Sequence, residues 1–402
     1  MKLTVSSFPK VIRKQSLIDA IIPLSIIGMS FAQRTSDKLS FLNNFQTTFF
    51  VGLSCLFFLA FLKHSPKMKY HKHSYLLYCF LLLLCISAFW SLDPTHTIKH
   101  FTWLLFTTLF GYFIAINYTL TKSLHLILIG LSIVLIISLI LVVVFPNKAI
   151  HTGELHFGAW KGLYFHKAGL GREASIAAIL FLFTTKKPFN LLLFFISILI
   201  VYKTQSTIAG VTLFGVLIYF LVTSILNPIK QFKKYKAQIL VLSLISCLSL
   251  VILNIEPIIG ALSKDNTFNS RILIWTHSID GILKNPALGY GFDSFWLNDK
   301  LSNTLTWEVP HAHNHFIDTV LDVGFFGLFL FGLMIVNYFR KLNKLKPFIS
   351  RSKFDALFCL MSAILVISST EEVIHTPFNL IWILFVVILL NSENLKTINK
   401  NL

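Results

Sequence analysis

An all-α integral membrane protein with about 12 transmembrane helices is what this sequence predicts, on three observations. Of its 402 residues 55% are hydrophobic, 14% aromatic and only 13% charged, whereas a soluble domain carries about a quarter charged residues. Apolar runs long enough to cross a bilayer recur along the chain, roughly 20 residues being needed and about 17 sometimes sufficing. Its positive residues also gather in every second connection, as expected of cytoplasmic loops.

The apolar runs place the spans near 17–32, 46–62, 74–90, 99–118, 124–145, 172–185, 189–202, 206–226, 238–254, 313–338, 354–370 and 377–391. Those between 172 and 202 are short enough to be tilted or broken. The basic connections hold Lys2, Lys10, Arg13 and Lys14; then Lys63 to Lys72; Lys122; Lys186 and Lys187; Lys230 to Lys236; Arg340 to Lys353; and finally Lys396 and Lys400. The connections between them, such as SLDPTHT at 91–97 and STEEVIHTP at 369–377, are acidic or mixed. With 12 spans both termini fall in the cytoplasm. The first apolar run lacks a small-residue cleavage site and reads as a signal anchor. With no internal repeat, residues 1–402 read as a single polytopic membrane domain.

Net charge is +18, from 35 Lys and Arg against 17 Asp and Glu. In a soluble chain that excess would suggest nucleic acid; distributed in alternate loops it is a topology signal, and no nucleic-acid partner is expected. Cys55, Cys79, Cys85, Cys247 and Cys359 all lie in apolar runs, so they form no disulfide framework or metal cluster.

Two long segments, 146–171 and 255–312, face away from the cytoplasm. Loops longer than about 15 residues are usually functional or disordered, and the Trp, Phe and Tyr content of these argues for function. At the end of the second, HAHNHFIDTVLDVGFFG (311–327) runs from polar into apolar sequence. His313 sits at the outer mouth of the helix beginning there, where an imidazole with an ordinary pKa near 6.5 can take a proton from a hydroxyl. The plain alternative is that His313 and Asn314 cap a helix at the interface. Gly324 and Gly327 put a Cβ-free stripe on one face for close helix packing. His311, His313 and His315 line up only if extended; on a helix His313 points away, no Cys joins them, and no metal is expected.

Of six arginines, Arg172 and Arg271 lie in or beside the two long outer segments, against the positive-inside bias. A guanidinium fork matches phosphate oxygens, and Lys167 and His166 add donors beside Arg172. Pairing with Glu173 or Asp280 is the alternative. Glu371 and Glu372 occupy a short outer connection, where solvation is the stronger reading and orientation of a base or cation the other.

These residues resemble a known family. RILIW (271–275), NPALGYGFDSFW (285–296) and HAHNHFIDTVLDVGFFG look like the signature region of the O-antigen ligase and polymerase superfamily. Its motif, His-[Asn/Ser/Gln] then nine residues then Gly-x-x-Gly, matches His313, Asn314, Gly324 and Gly327. GAWKGLYFHKAGLGR at 158–172 resembles an outer segment of polymerase-like members, and WSLDPTHTIKH at 90–100 and Glu371 fit as well. The resemblance implies an inner-membrane glycosyltransferase whose two long segments, with the motif continuing to 327, are periplasmic. Such an enzyme moves a glycan from undecaprenyl diphosphate to a hydroxyl acceptor with inversion, without metal or other cofactor. On that resemblance His313 is the catalytic base; Arg172, Arg271 and Lys167 hold the diphosphate; and Asn314, His166, His311, Glu371, Gly324 and Gly327 support them. The implied partners are the lipid-linked glycan donor, a glycan or lipid A-core acceptor, the bilayer and a chain-length regulator.

The sequence also departs from the pattern. Ala168 stands where the family's His-Lys-Asn has Asn, QSTIAG (205–210) lacks a frequent Ser-Arg pair, and Leu328 follows Gly327. The last two points and the 158–171 segment tilt the reading toward a polymerase over a lipid A-core ligase. A lipid-oligosaccharide flippase and a non-catalytic assembly subunit are the competing classes. A transporter would place its charges near the bilayer midplane and show related halves; here the charges gather in the two outer segments.

Overall fold

The computed structural model describes residues 19–30, 75–153, 156–184, 188–226, 266–298, 309 and 311–398. Helices fill most of them: α1 (Asp19–Ser30), α2 (Tyr75–Ile86), α3 (Pro94–Asn117), α4 (Leu120–Val144), α5 (Lys167–Thr184), α6 (Pro188–Thr204), α7 (Thr207–Leu226), α8 (Asn266–Lys284), α9 (His315–Leu345), α10 (Arg351–Ser368) and α11 (Leu380–Ile398). No strand occurs among the described residues, only an isolated bridge between Ile150 and Trp160. Among the described residues four helices are long and apolar enough to cross a membrane: α3, α4, α9 and residues Thr207–Ser224 of α7. The protein is a multi-pass, all-α membrane protein. The expected spans at 46–62 and 238–254 lie outside the described residues, whereas α8, within 255–312, is a helix that the apolar runs did not announce.

Local chemistry starts the helices. Asp93 caps α3 by accepting from His96 N at 2.9 Å, with Pro94 following, a pairing of cap and first-turn proline suited to a helix start. Ser350 caps α10 through Lys353 N, and Asn314 caps α9 through Phe316 N and Ile317 N. The capping reading of Asn314 is therefore what the structure shows.

Burial then sorts the helices. From Leu380 to Asn391 every residue of α11 is buried, as befits a helix apolar all round. It lies along α3, where a Cβ on Gly111 would come within 3.1 Å of Val386; the missing side chain permits the close approach. Trp382 Nε1 donates to Thr108 Oγ1 across that contact at 2.8 Å. α5 packs on α4, α6, α7 and α10, and α9 packs on α2. The outward rows of α6 (Phe189, Leu192, Phe195, Leu199) and α9 (Phe325, Phe326, Phe329, Leu333) are exposed large apolar side chains, surface that suits lipid better than water.

α9 is two helices joined at a kink. Val323 and Gly324 leave helical geometry, Gly324 at φ 70° and ψ −175°. A Cβ there would sit 1.9 Å from the Ala287 carbonyl oxygen, and Phe325 N donates to Pro286 O at 2.8 Å. This corrects the expected helix-packing stripe at Gly324, which is where α9 breaks to seat the Pro286–Leu288 turn. At Gly327 the helix-packing expectation holds in part: a Cβ there would meet Val323 of its own helix at 2.2 Å and Leu83 of α2 at 3.5 Å.

Candidate active site

The 311–314 turn precedes α9, and three contacts fix it. Trp275 Nε1 of α8 donates to Ala312 O at 2.9 Å. Ala312 N donates to Asp318 Oδ1 at 2.8 Å, and Trp296 Nε1 donates to the same oxygen at 3.1 Å. Held this way, His313 takes a left-handed φ of 53°, costly for a non-glycine residue and a common mark of functional sites. Its backbone N donates to His311 Nδ1 at 3.1 Å, and the two rings lie 4.3 Å apart. Arg271 and Trp275 are one helical turn apart on α8, hence on one face. While Trp275 grips the turn, Arg271 comes within Coulombic reach of both His311 and His313.

A second face comes from α5 and the α10–α11 connection. Arg172 Nη1 donates to Glu371 Oε2 at 3.2 Å, both side chains largely enclosed. The alternative partner Glu173 turns elsewhere, accepting from Ser30 Oγ at 3.2 Å. The glycines of HKAGLGR let α5 approach, since a Cβ on Gly171 would lie 2.9 Å from Ser206 Cβ. Lys167 Nζ reaches Gln205 O at 3.4 Å. His166 joins His151 and His156 in a group of rings 5.1–5.5 Å apart, within Coulombic reach of His313.

The electrostatics favour neutral imidazoles. Burial lowers the His313 pKa, with Glu371 opposing and Arg271 reinforcing. Burial first, then His313 and Arg172, takes His311 down to about 3. Burial, with His156 and His151, takes His166 to about 3. His313 Nδ1 is buried without a hydrogen-bond partner among the described residues. At neutral pH the lowered pKa keeps His313 an unprotonated imidazole, with Arg271 reinforcing that state, the state a general base requires.

The alternating histidines separate. His311 and His313 face the site, while His315 is buried, 4.4 Å from the His375 ring and 5.3 Å from Phe331. Among the described residues, two groups bring ligand-type atoms together: His96, His100 and Asp293, and His311, Asp318 and Glu372. The second is continuous with the His313 turn, and Asp318 Oδ2 is buried without a hydrogen-bond partner among the described residues. Desolvation and the neighbouring Asp318, Asp293 and Asp322 push the Glu372 carboxyl well above its usual range. Asp322 joins three segments, accepting from Asp293 N at 2.9 Å and lying 3.3 Å from His375 Nε2. Asp293, Asp318 and Asp322 lie inside the stretches that carry the family resemblance and His375 inside the 369–377 connection, but nothing local to them announced that they meet.

Residues 192–332 match the family model described as O-antigen ligase. This part of the chain is O-antigen-ligase-like. The match takes in Arg271, His313, Asn314, Gly324 and Gly327, but not Arg172 or Glu371. The exopolysaccharide production protein ExoQ of Rhizobium meliloti is 27% identical over 134 residues, 31% of each chain. A protein of Rickettsia felis named "Putative polysaccharide ligase" is 27% identical over 206 residues, 47% of this chain and 49% of its own. A protein of Rickettsia conorii under the same description is 26% identical over 189 residues, 44% and 45% respectively. The chain spans about a third to a half of the length of these curated relatives. The resemblance to the O-antigen ligase and polymerase superfamily rests on these matches together with the motif.

Proposed function

We propose that this O-antigen-ligase-like protein is an inner-membrane, periplasm-facing glycosyltransferase that moves a glycan from undecaprenyl diphosphate to a hydroxyl acceptor. The proposed topology has 12 spans, both termini in the cytoplasm and the 146–171 and 255–312 segments in the periplasm. One observation carries the reading: the buried imidazole of His313 stands within Coulombic reach of Arg271 and of Glu371, the partner of Arg172. That juxtaposition is what transfer from a lipid diphosphate needs.

In the proposed reaction His313 removes the acceptor hydroxyl proton as that oxygen attacks the anomeric carbon. The carbon–oxygen bond to the diphosphate breaks on the opposite face, inverting the centre. Charge develops on the leaving diphosphate, and Arg172 and Arg271, with Lys167 at the rim, stabilise it. These cations take the part a metal plays elsewhere, so the transfer is written without one. Glu371 holds Arg172 in place until the diphosphate arrives. His311 positions His313 through its backbone N–H, Asn314 fixes the start of α9, and His166 borders the acceptor side.

Polymerisation of surface-polysaccharide repeat units is the favoured form. Support comes from Leu328 after Gly327, the QSTIAG start of α7 and the 158–171 segment. The relative named for exopolysaccharide production is consistent with it. Transfer to lipid A core is the second reading, favoured by the ligase names of the Rickettsia relatives. The test is a strain lacking the gene, complemented with the unaltered protein or with His313→Ala at matched expression. Loss of long chains with single repeats kept on lipid A core indicates the polymerase; lipid-linked polymer with bare core indicates the ligase. Normal glycan from His313→Ala rejects both.

A further inference from the structure

On the flank of the proposed site, α3 and the 285–298 segment bring together atoms that the glycan-transfer reading leaves unused. His96 and His100 are one turn apart near the start of α3, their rings stacked 4.0 Å apart at 20°. His96 Nε2 lies 3.1 Å from Asp293 Oδ2, and His100 Nδ1 is bonded to the same oxygen. The three donor atoms fall within 4.8 Å of one another, and all three residues are partly accessible. Two imidazole nitrogens and one carboxylate oxygen turned to one point form the donor set of an open two-histidine, one-carboxylate site. A tetrahedral cation with bonds of about 2.0–2.1 Å spaces its ligands about 3.3 Å apart, close to the 3.1 Å between His96 Nε2 and Asp293 Oδ2. His100 would have to draw back from its contact with the carboxylate to admit the ion.

The surroundings are built to hold that arrangement. Asp93 and Pro94 fix the first turn of α3, which carries His96. Asp293 adopts a left-handed φ of 56°, strain of the kind that persists only when neighbours enforce it. Three bonds enforce it. Thr97 Oγ1 donates to Phe292 O at 2.7 Å, Phe292 N donates to Ser87 Oγ at 2.9 Å, and Asp293 N donates to Asp322 Oδ1 at 2.9 Å. Second-layer bonds that lock a ligand's orientation are the usual company of a metal site. The adjacent cation, Lys99, is turned onto the Trp103 ring, its Nζ 4.9 Å from the centroid, and does not fill the place.

We infer that His96, His100 and Asp293 bind a divalent first-row cation of the zinc type, clamping the 285–298 segment onto α3. The site is separate from His313, and the inference stands whether or not His313 is a catalytic base.

The experiment uses the full chain in detergent, purified through a tag without histidine and stripped with chelator. Zinc is added, excess is removed by gel filtration, and bound metal is measured by mass spectrometry. About one equivalent is expected, falling to background in His100→Gln and Asp293→Asn and unchanged in His125→Gln on α4. His96→Cys keeps a ligand; its cobalt(II) form gains a thiolate charge-transfer band absent from the unaltered protein. That band reports on the site even if the other variants do not fold. Background zinc in the unaltered protein, zinc retained by the folded Gln and Asn variants, or a cobalt spectrum unaffected by His96→Cys would each overturn the assignment.

Discussion

Replacing Gly324 by Ala places a methyl group where the chain has none to spare. Gly324 sits at φ 70° and ψ −175°, and the new Cβ would lie 1.9 Å from Ala287 O and 2.1 Å from Ala287 C. That backbone region belongs essentially to glycine, and forcing another residue there costs about 1–3 kcal/mol. Relieving the clash moves the Pro286–Leu288 turn and breaks the 2.8 Å bond from Phe325 N to Pro286 O, worth about 1 kcal/mol more. The expected loss is therefore about 2–4 kcal/mol. At about 2 °C per kcal/mol it lowers the melting temperature of the detergent-purified protein by about 4–8 °C. Gly332→Ala is the internal comparison: in the same helix a Cβ at Gly332 would meet nothing within 4 Å. Alanine's better helix propensity should there add up to about 1 kcal/mol. Melting of Gly324→Ala within about 1 °C of the unaltered protein would refute the kink argument, as would equal destabilisation by Gly332→Ala.

Other substitutions probe the electrostatics. Glu371→Gln removes the group that raises the His313 pKa, so the acid limb of the activity profile moves to lower pH; Arg271→Gln removes one that lowers it and moves the limb upward. An in vitro transfer assay across pH reads both shifts, and movement in the same direction would contradict the assignment. Arg172→Lys keeps the charge but not the fork, and about a hundredfold loss of transfer rate is expected; a rate within threefold of normal would remove Arg172 from diphosphate binding. His375, His311 and His166 fall to about 3 and His151 to about 4, burial being the first cause in each. Unfolded histidines titrate near 6.5, so the unfolded chain binds more protons in acid. Stability should hold above about pH 6.5 and fall progressively below it; a melting temperature flat from pH 7 to 4.5 would contradict their burial.

What could be read from the sequence was what is local. Long apolar runs marked helices such as α4 and α9, because membrane spans announce themselves by composition alone. His313, Asn314 and the glycines stood out because they are contiguous and polar or small inside an apolar context. The glycines' purpose did not, since a helix break and a packing stripe look alike until the Pro286–Leu288 turn is seen against Gly324. α8 escaped because it mixes polar and apolar residues, and its use depends on Trp275 meeting Ala312, 37 residues away. Asp293 meets Asp322 across 29 residues and His96 across 197, distances at which periodicity carries nothing.

The contact between α3 and α11 has a consequence in time. Thr108 receives the Trp382 indole from 274 residues further along the chain, a length that takes roughly 14–55 s to synthesise at about 5–20 residues per second. α3 is also the least apolar of the four long spans. Until α11 arrives, α3 dwells in the bilayer with its partner surface bare. Its threonines meet the wait from within, Thr107 Oγ1 donating to Trp103 O and Thr108 Oγ1 to Leu104 O, each at 2.8 Å. Each hydroxyl keeps an oxygen free for later use: Thr107 for the Phe378 N–H at 3.0 Å and Thr108 for the indole. The newly made helix can thus sit in lipid with its donors satisfied and still hold open the acceptors that a later helix will claim.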